Sequence, residues 1–484
     1  MGIVVNQSIK NTLITYMGFG IGAINILFLF TNFVSDTYFG LITFIFSTAN
    51  ILMPLMAFGT HNTIVKFYST FKTRQSQNSF LSLMLLLPLV IIIPGIIITK
   101  LAFSFISDWI SSENAIVKDY TWYIAISAIV FGYFEVFYAW SKVQLQSVFG
   151  NFMKEVFHRL CTSILLISLY FKYITVEQLV LGMVSVYVLR MVIMMVYAFS
   201  LRFPSFKRIR VSNISAIIKY ACLIIIAGSV ANMILEIDKF MIGKYVVIEN
   251  VAYYGVAIYI ATVIGVPSRA MHQITYPLTA KLLNENSMVE LKSLYQKSSL
   301  SLFIIGGFIF LLIILNINEL YKLLPQDYSD GFIVVFVIGF SKLSDTLLGN
   351  NNSILFNSDY YRVVLLMGVF LAIMTVILNM YFIPNFGING AAYATCIAMT
   401  LYNTIKIIFV RAKFKMQPFT SSTLKTLSLI IVCGFGFYFL NFNFHPMLNI
   451  IVKSLIVSIS YGFFIYYFNI SHDITSLINK LIKR

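Results

Sequence analysis

Charge is what this sequence has least of. Asp, Glu, Lys and Arg make up 11% of its 484 residues, while 59% are hydrophobic; soluble domains carry roughly a quarter charged residues. Acidic side chains are the scarcer sign, 18 against 34 basic. This balance excludes an ordinary soluble enzyme. Cysteine is confined to Cys161, Cys222, Cys396 and Cys433, all inside apolar runs. With no Cys-x-x-Cys and no His–Cys cluster, neither a disulfide framework nor a metal centre is indicated. There is no Asp-x-Asp and no ATP-binding loop, so no cofactor is expected. Met17-Gly18-Phe19-Gly20-Ile21-Gly22 lacks the preceding strand that a dinucleotide fingerprint requires. Lying within an apolar run, it reads as a flexible first helix.

What is present is long apolar runs. A membrane-spanning helix needs about 20 apolar residues, and fourteen candidates can be bounded by charge and turn residues. They lie near 12–34, 38–59, 80–99, 120–140, 153–171, 179–201 and 214–235, then 251–273, 299–317, 331–352, 363–383, 390–410, 424–442 and 448–468. No connection is then long enough for a globular domain outside the membrane. The N-terminal apolar run is too long for a signal-peptide core and reads as a retained first span. Pro54, Pro88, Pro94 and Pro267 are candidate kinks.

The net charge of +16 invites a nucleic-acid reading, which its distribution rejects. With the N-terminus cytoplasmic, the inner side collects Lys66, Lys72 and Arg74, then Arg202, Lys207, Arg208 and Arg210, then Arg411, Lys413 and Lys415. The outer side keeps only Lys100, Lys118, Lys172, Lys239, Lys244 and Lys322, beside acids such as Asp108, Glu113, Asp119, Asp327 and Asp330. By the positive-inside rule both termini are cytoplasmic. The tail from Asp473 to Arg484 puts Ile474, Leu477, Ile478, Leu481 and Ile482 on one stripe, with Lys480, Lys483 and Arg484 nearby. It reads as an interfacial amphipathic helix on membrane lipids.

The chain also repeats itself. Ile9-Lys10, Tyr38-Phe39-Gly40 and Pro54 recur in order as Ile218-Lys219, Tyr253-Tyr254-Gly255 and Pro267. The expected architecture is therefore an all-α integral membrane protein of about fourteen transmembrane helices. Two six-helix lobes, 1–210 and 211–416, are related by a pseudo-two-fold axis along the membrane normal, and two extra helices and a cytoplasmic tail occupy 417–484. Such lobes usually place a substrate cavity at their interface.

Three segments carry a resemblance over the whole chain: Tyr38-Phe39-Gly40-Leu41 running to Gly59-Thr60-His61-Asn62-Thr63-Ile64-Val65-Lys66-Phe67; Asp238-Lys239-Phe240-Met241-Ile242-Gly243 leading to Tyr253-Tyr254-Gly255-Val256-Ala257; and Pro384-Asn385-Phe386-Gly387-Ile388-Asn389-Gly390-Ala391-Ala392-Tyr393-Ala394-Thr395. In order and spacing the sequence resembles the multidrug/oligosaccharidyl-lipid/polysaccharide exporter superfamily, and within it the oligosaccharide (O-antigen, Wzx-type) flippases. The resemblance implies an inner-membrane transporter that moves a polyprenyl-diphosphate-linked oligosaccharide by alternating access. Pathway polymerases and glycosyltransferases would be its partners.

Ionisable groups inside spans cost about 2.5–3.5 kcal/mol each on insertion scales, so each asks for a partner or a task. Arg190, Arg269, Lys342 and Lys453 fall within the expected spans, with the acids Glu135 and Asp345. Arg269, just after Pro267, either lines a cavity and grips a diphosphate with its paired donors or snorkels to the interface. The resemblance favours the cavity, because relatives that flip lipid-linked saccharides carry cations on this helix. His272 shares its face, as a packing residue or a site residue. Lys342 and Asp345, three residues apart, either pair structurally or serve the cavity and coupling. Arg190 is a further cavity candidate and Glu135 a coupling candidate; Lys66 is either a site residue or one more positive-inside charge. Lys453 reads as a snorkelling anchor, and Glu236-Ile237-Asp238 beside Lys239 as an interface cluster ending a span. A cation-coupled drug exporter and a lipid II flippase are the alternative transporters. The former is disfavoured because helix one has no acid before Asp36. A membrane glycosyltransferase or polymerase is least favoured, since the longest outer connection, about 100–119, is short.

Overall fold

The computed structural model describes residues 2–205, 213–227, 230–442 and 444–471, with 475, 476 and 479 beyond them. The cluster Lys207, Arg208 and Arg210, the expected lobe boundary at 210/211, and Ile474, Leu477, Ile478 and Leu481 to Arg484 of the expected tail helix lie outside these residues. The expected spans fall mainly on helix, although those near 214–235 and 331–352 each divide between two helices, and no strand occurs among the described residues. This follows from the solvent: hydrocarbon offers no partner for a backbone N–H or C=O, so each spanning segment must satisfy its own. Among the described residues ten helices are long and apolar enough to cross a membrane, or eleven with one bent pair counted as a span, so the expected count of fourteen is not reached there. The chain is a multi-pass membrane protein.

In chain order the helices are α1 (Gly2–Ile24), α2 (Asp36–Met56), α3 (Thr60–Phe67), α4 (Arg74–Leu86), α5 (Leu89–Leu101), α6 (Phe103–Ile110), α7 (Thr121–Val143), α8 (Val148–Phe152), α9 (His158–Tyr170) and α10 (Val176–Leu201). There follow α11 (Ile214–Ala227), α12 (Val230–Tyr245), α13 (Glu249–Thr262), α14 (Val266–Asn284), α15 (Met288–Tyr321), α16 (Phe332–Thr346), α17 (Asn351–Asn357), α18 (Tyr361–Phe414), α19 (Ser421–Tyr438) and α20 (Pro446–Tyr467). Two segments depart from α geometry by a π turn, Asn25–Phe30 after α1 and Met153–Phe157 between α8 and α9.

Contacts divide the chain into two compact units, residues 1–255 and 256–484. In the first, α7 is the central helix and packs against α2, α3 and α10, while α12 lies on α2. Its core gathers Phe80, Phe134, Phe137, Trp140 and Met194. In the second, α15 is central and carries α14, α16, α19 and α20. Phe303, Leu311, Ile430, Cys433 and Val457 form its core.

Pro88 separates α4 from α5, and Pro267 opens α14 after a short 3-10 break at Val263–Gly265, as expected of kink positions. Pro54 and Pro94 lie inside α2 and α5, which run on past them. Expected spans eleven and twelve form one long helix, α18, interrupted at Gly387, whose φ of 57° and ψ of −135° only glycine adopts readily. One expected boundary is wrong. Glu236, Asp238 and Lys239 do not end a span at the interface but sit mid-way along α12, which runs on to Tyr245. Asp238 is fully buried and accepts a hydrogen bond from Tyr254 Oη at 2.6 Å, and Glu236 pairs with Lys239 at 3.3 Å. A buried acid with a phenol partner looks, in sequence, like a helix end.

The two repeated openings meet in the first unit. Asp36 accepts from Tyr253 Oη at 3.0 Å, and Thr37 Oγ1 donates to Glu249 at 2.6 Å. Their glycines are not equivalent. A Cβ on Gly40 would lie 2.1 Å from the Ile248 carbonyl oxygen, whereas one on Gly255 would meet only Thr43 Cγ2 at 3.5 Å. Gly40→Ala should therefore cost about 1–3 kcal/mol through forced backbone movement, with Gly255→Ala near neutral. Thermal unfolding of the two variants in detergent checks the difference.

Candidate functional site

The interior of the first unit holds a connected set of charges. Glu135, on α7, has only 14% of its side chain exposed and accepts a 2.5 Å bond from Lys154 Nζ. Lys142, on the same helix, and His61, on α3, also act on this carboxylate. Lys154 and Glu155 both belong to the π turn, whose extra residue re-aims side chains that a regular helix would direct elsewhere. Glu155 lies 3.6 Å from the Arg159 guanidinium.

The turn is held by α1 and the π segment after it. Gly18 lies so close that a Cβ there would be 2.5 Å from the Glu155 carbonyl oxygen. Asn25 Nδ2 donates to the Arg159 carbonyl at 2.8 Å and its Oδ1 accepts from Ser163 Oγ at 2.6 Å. Gly18 thus serves close approach.

Arg190 reaches the same region from α10. It is 7% exposed, and its guanidinium carbon lies 4.0 Å from the Phe134 ring centre, 4.7 Å from Tyr187 and 5.6 Å from Phe131. Aromatic faces compensate a desolvated guanidinium by about 2 kcal/mol or more. Its Nε and Arg159 Nη1 are buried without hydrogen-bond partners. Glu135 and Glu155 both act on Arg190. The cluster therefore gathers the basic side chains Lys142, Lys154, Arg159 and Arg190 around the carboxylates Glu135 and Glu155, with Glu236 acting on Tyr187 beside them.

The second unit holds a smaller cluster. Lys406 of α18 is 2% exposed; its Nζ donates to Asn352 Oδ1 at 3.0 Å and stands 4.2 Å over the Tyr402 ring. Asp345 of α16 acts on Lys406, Tyr402 and His272. Asp345 is thus brought together with His272, and Lys342, also on α16, is half-buried with its stem 4.0 Å from where a Cβ on Gly265 would stand. Arg269 is exposed on α14, one turn beyond the break. Lys66 is exposed on α3, with Nζ 3.9 Å over the Tyr220 ring. Lys453 is 3% exposed and lies within the influence of Glu319, which binds Lys322 at 2.7 Å.

Sequence reasoning missed Lys406, Lys154 and the Glu155–Arg159 pair, although the last has the four-residue spacing of a helical ion pair. Among the described residues no group of His, Cys, Asp and Glu could hold a metal ion.

No protein-family model matches the chain, and no curated protein matches it in sequence. Solved structures do match. The lipid II flippase MurJ in its inward closed conformation aligns over 96% of this chain and 100% of its own, with TM-score 0.70 and 12% identity. Transporters described as belonging to the MOP superfamily share this fold. A second such transporter, from Pyrococcus furiosus and described as having a binding pocket of reversed polarity, aligns over 85% of this chain and 95% of its own, with TM-score 0.58 and 13% identity. A multidrug-resistance MATE transporter of the MOP superfamily, inward-facing, aligns over 86% and 95%, with TM-score 0.55 and 13% identity.

The Glu135–Lys154 pair tests the MOP-fold cluster directly. Breaking a buried pair from one side leaves a stranded charge, while replacing both with apolar groups is often neutral. Because Lys154 is 41% exposed, the effect should be smaller than for a fully buried pair. Lys154→Met alone should destabilise by about 1–3 kcal/mol, and adding Glu135→Leu should restore much of that loss. A double-mutant cycle on unfolding in detergent measures the coupling.

Proposed function

We propose that this chain is a transporter that flips a polyprenyl-diphosphate-linked oligosaccharide, of the O-antigen or capsule repeat-unit type, from the inner to the outer leaflet of the cytoplasmic membrane by alternating access. Both termini lie in the cytoplasm. One observation supports a flippase reading: the likeness to the lipid II flippase runs over 96% of the chain, while that to the inward-facing multidrug-resistance MATE transporter covers 86%. The positive surplus inside the first unit supports it. A saccharide head cannot shed its water into hydrocarbon without replacement partners, and its diphosphate needs cations. Moving about two negative charges outward across an inside-negative membrane is itself favourable, by about 2.3 kcal/mol per charge per 100 mV.

Accessibility separates the roles of the basic residues. Arg269 and Lys66 are exposed and can touch a ligand. Lys342 and His272 are half-buried, His272 within the influence of Asp345, and belong with Arg269 to the second unit's candidate residues. Arg190 and Lys406 are buried and act on the ligand through the field they set. Glu135 and Asp345 anchor the two clusters and are the candidates for coupling. The second reading is a lipid II flippase, favoured by the same full-length likeness.

The deciding experiment reconstitutes the protein in liposomes and follows translocation of a labelled polyprenyl-diphosphate oligosaccharide, lipid II and a cationic dye. Oligosaccharide translocation is expected. Lipid II alone would establish the second reading, and dye movement alone would overturn both. Arg269→Glu should lower the rate at least about tenfold, equivalent to about 1.4 kcal/mol in the barrier, with Lys118→Ala in an outer loop as the unaffected control. Arg190→Met should leave the unfolding midpoint unchanged or higher, because a buried cation is replaced by an apolar side chain of similar reach. It should nevertheless slow translocation.

A further inference from the structure

Lys406 is a buried cation that makes no ion pair among the described residues. α18, which carries it, packs against α16 and α17. Its ammonium reaches the first turn of α17, where the neutral Asn352 Oδ1 accepts a bond at 3.0 Å, and it stands 4.2 Å over the Tyr402 ring. Asp345 acts on it only from beyond bonding distance. Lys154 in the first unit, by contrast, holds a carboxylate in contact. Arg190 is acted on by Glu135 and Glu155 and faces three aromatic rings. One turn from Lys406, on the same side of α18, is Asn403. It is 5% exposed, and its Nδ2 and Oδ1 are both buried without a hydrogen-bond partner. Buried side-chain amides are normally bonded to protein or to something held there, so this one asks for an explanation.

We propose that Lys406 and Asn403 together bind one small inorganic anion of the size of chloride. The balance of donors and acceptors decides the class of ligand. A lysine ammonium carries three N–H donors, and here one is spent on Asn352. An asparagine carries two donors and one acceptor oxygen, and at Asn403 all of them are unspent. Donors therefore outnumber acceptors. A water molecule would bring two hydrogens of its own, with only Asn403 Oδ1 of this pair to receive them. An anion accepts from every donor and supplies the contact charge that Lys406 lacks. Asp345 offsets part of the lysine's charge through the field, as a more distant group can. Burial sets the size. With Lys406 at 2% and Asn403 at 5% exposure, the place suits a monatomic ion rather than a phosphate. Binding of this ion is independent of what the protein transports; the empty site is the state in which Lys406 exerts its field on a cargo.

Thermal unfolding of the full-length protein in detergent tests the proposal, at constant ionic strength with sodium gluconate replaced stepwise by sodium chloride. The midpoint should rise saturably, by about 2 °C at a tenfold excess over the dissociation constant. Sodium bromide should act alike and sodium sulfate should not. Asn403→Asp, which gives Lys406 a fixed carboxylate, and Lys406→Met, which removes the cation, should each weaken the apparent chloride affinity at least tenfold. Lys281→Ala, an exposed lysine of α14, should respond like the parent. Each protein is compared with itself in two salts, so a change in a variant's own stability does not enter. Anomalous diffraction from bromide-soaked crystals of the parent needs no variant, and should place the ion between Lys406 Nζ and Asn403 Nδ2. No saturable chloride response in the parent, as for a site that holds water alone, overturns the proposal. So does an undiminished response in Asn403→Asp, or a bromide-soaked crystal with no peak there.

Discussion

The cost of charge in a low-dielectric interior governs this structure more than any packing preference. Two unit charges 4 Å apart interact with about 1 kcal/mol in water and several times that near protein, so a buried ion dictates its neighbours. The chain solves the problem differently for each chemistry. Arg190, with a delocalised and weakly hydrated charge, is placed among aromatic rings. Lysine is a compact point charge, and Lys154 and Lys406 each receive a single oxygen, from Glu135 and Asn352. Asp238 receives the Tyr254 phenol. The rest of each helix is free to be apolar because these few groups are accommodated locally.

The π turns are where that accommodation shapes the backbone. Asn25 opens one and binds the chain just past the other, and Gly18 removes the side chain that would hold α1 away from Glu155. A π turn adds a residue to the circuit and rotates everything after it, so the orientations of Glu155 and Arg159 depend on it. The polar cluster and the irregular backbone are therefore a single feature of the first unit. Irregular backbone at membrane depth is tolerated only where protein surrounds it, and here α1, α9 and α10 do so.

How much of this could be read from sequence depended on the length of the pattern. Apolar runs of twenty residues are a strong signal, and the segments drawn from them lie mainly on helix, with breaks inside those near 214–235 and 331–352. The interruption at Gly387 was legible because glycine and proline punctuate locally. Glu236, Asp238 and Lys239 misled for the opposite reason: three charges in four positions look like an interface until the buried Tyr254 hydroxyl appears, sixteen residues away in sequence. Lys406 was overlooked because a lysine near the end of a span fits the positive-inside pattern without further cause. Its partner Asn352 lies on another helix, and no local spacing announces it. The π turn at Met153–Phe157 has no compositional signature, since it is imposed by contact with Gly18 and Asn25.

Fold alone does not choose a cargo, because the same architecture serves the lipid II flippase and multidrug transporters that this chain aligns with. What separates cargoes physically is the sign of the field inside each unit. Here Lys142, Lys154, Arg159 and Arg190 gather around Glu135 and Glu155 in the first unit, and two nitrogens, Arg190 Nε and Arg159 Nη1, are buried with hydrogen-bonding capacity unspent. Low-dielectric walls focus such a field and raise the local concentration of counter-ions, while they repel cations. A cationic drug would have to approach against that field. A diphosphate would move with it, and would further reduce the electrostatic cost of keeping these arginines out of water.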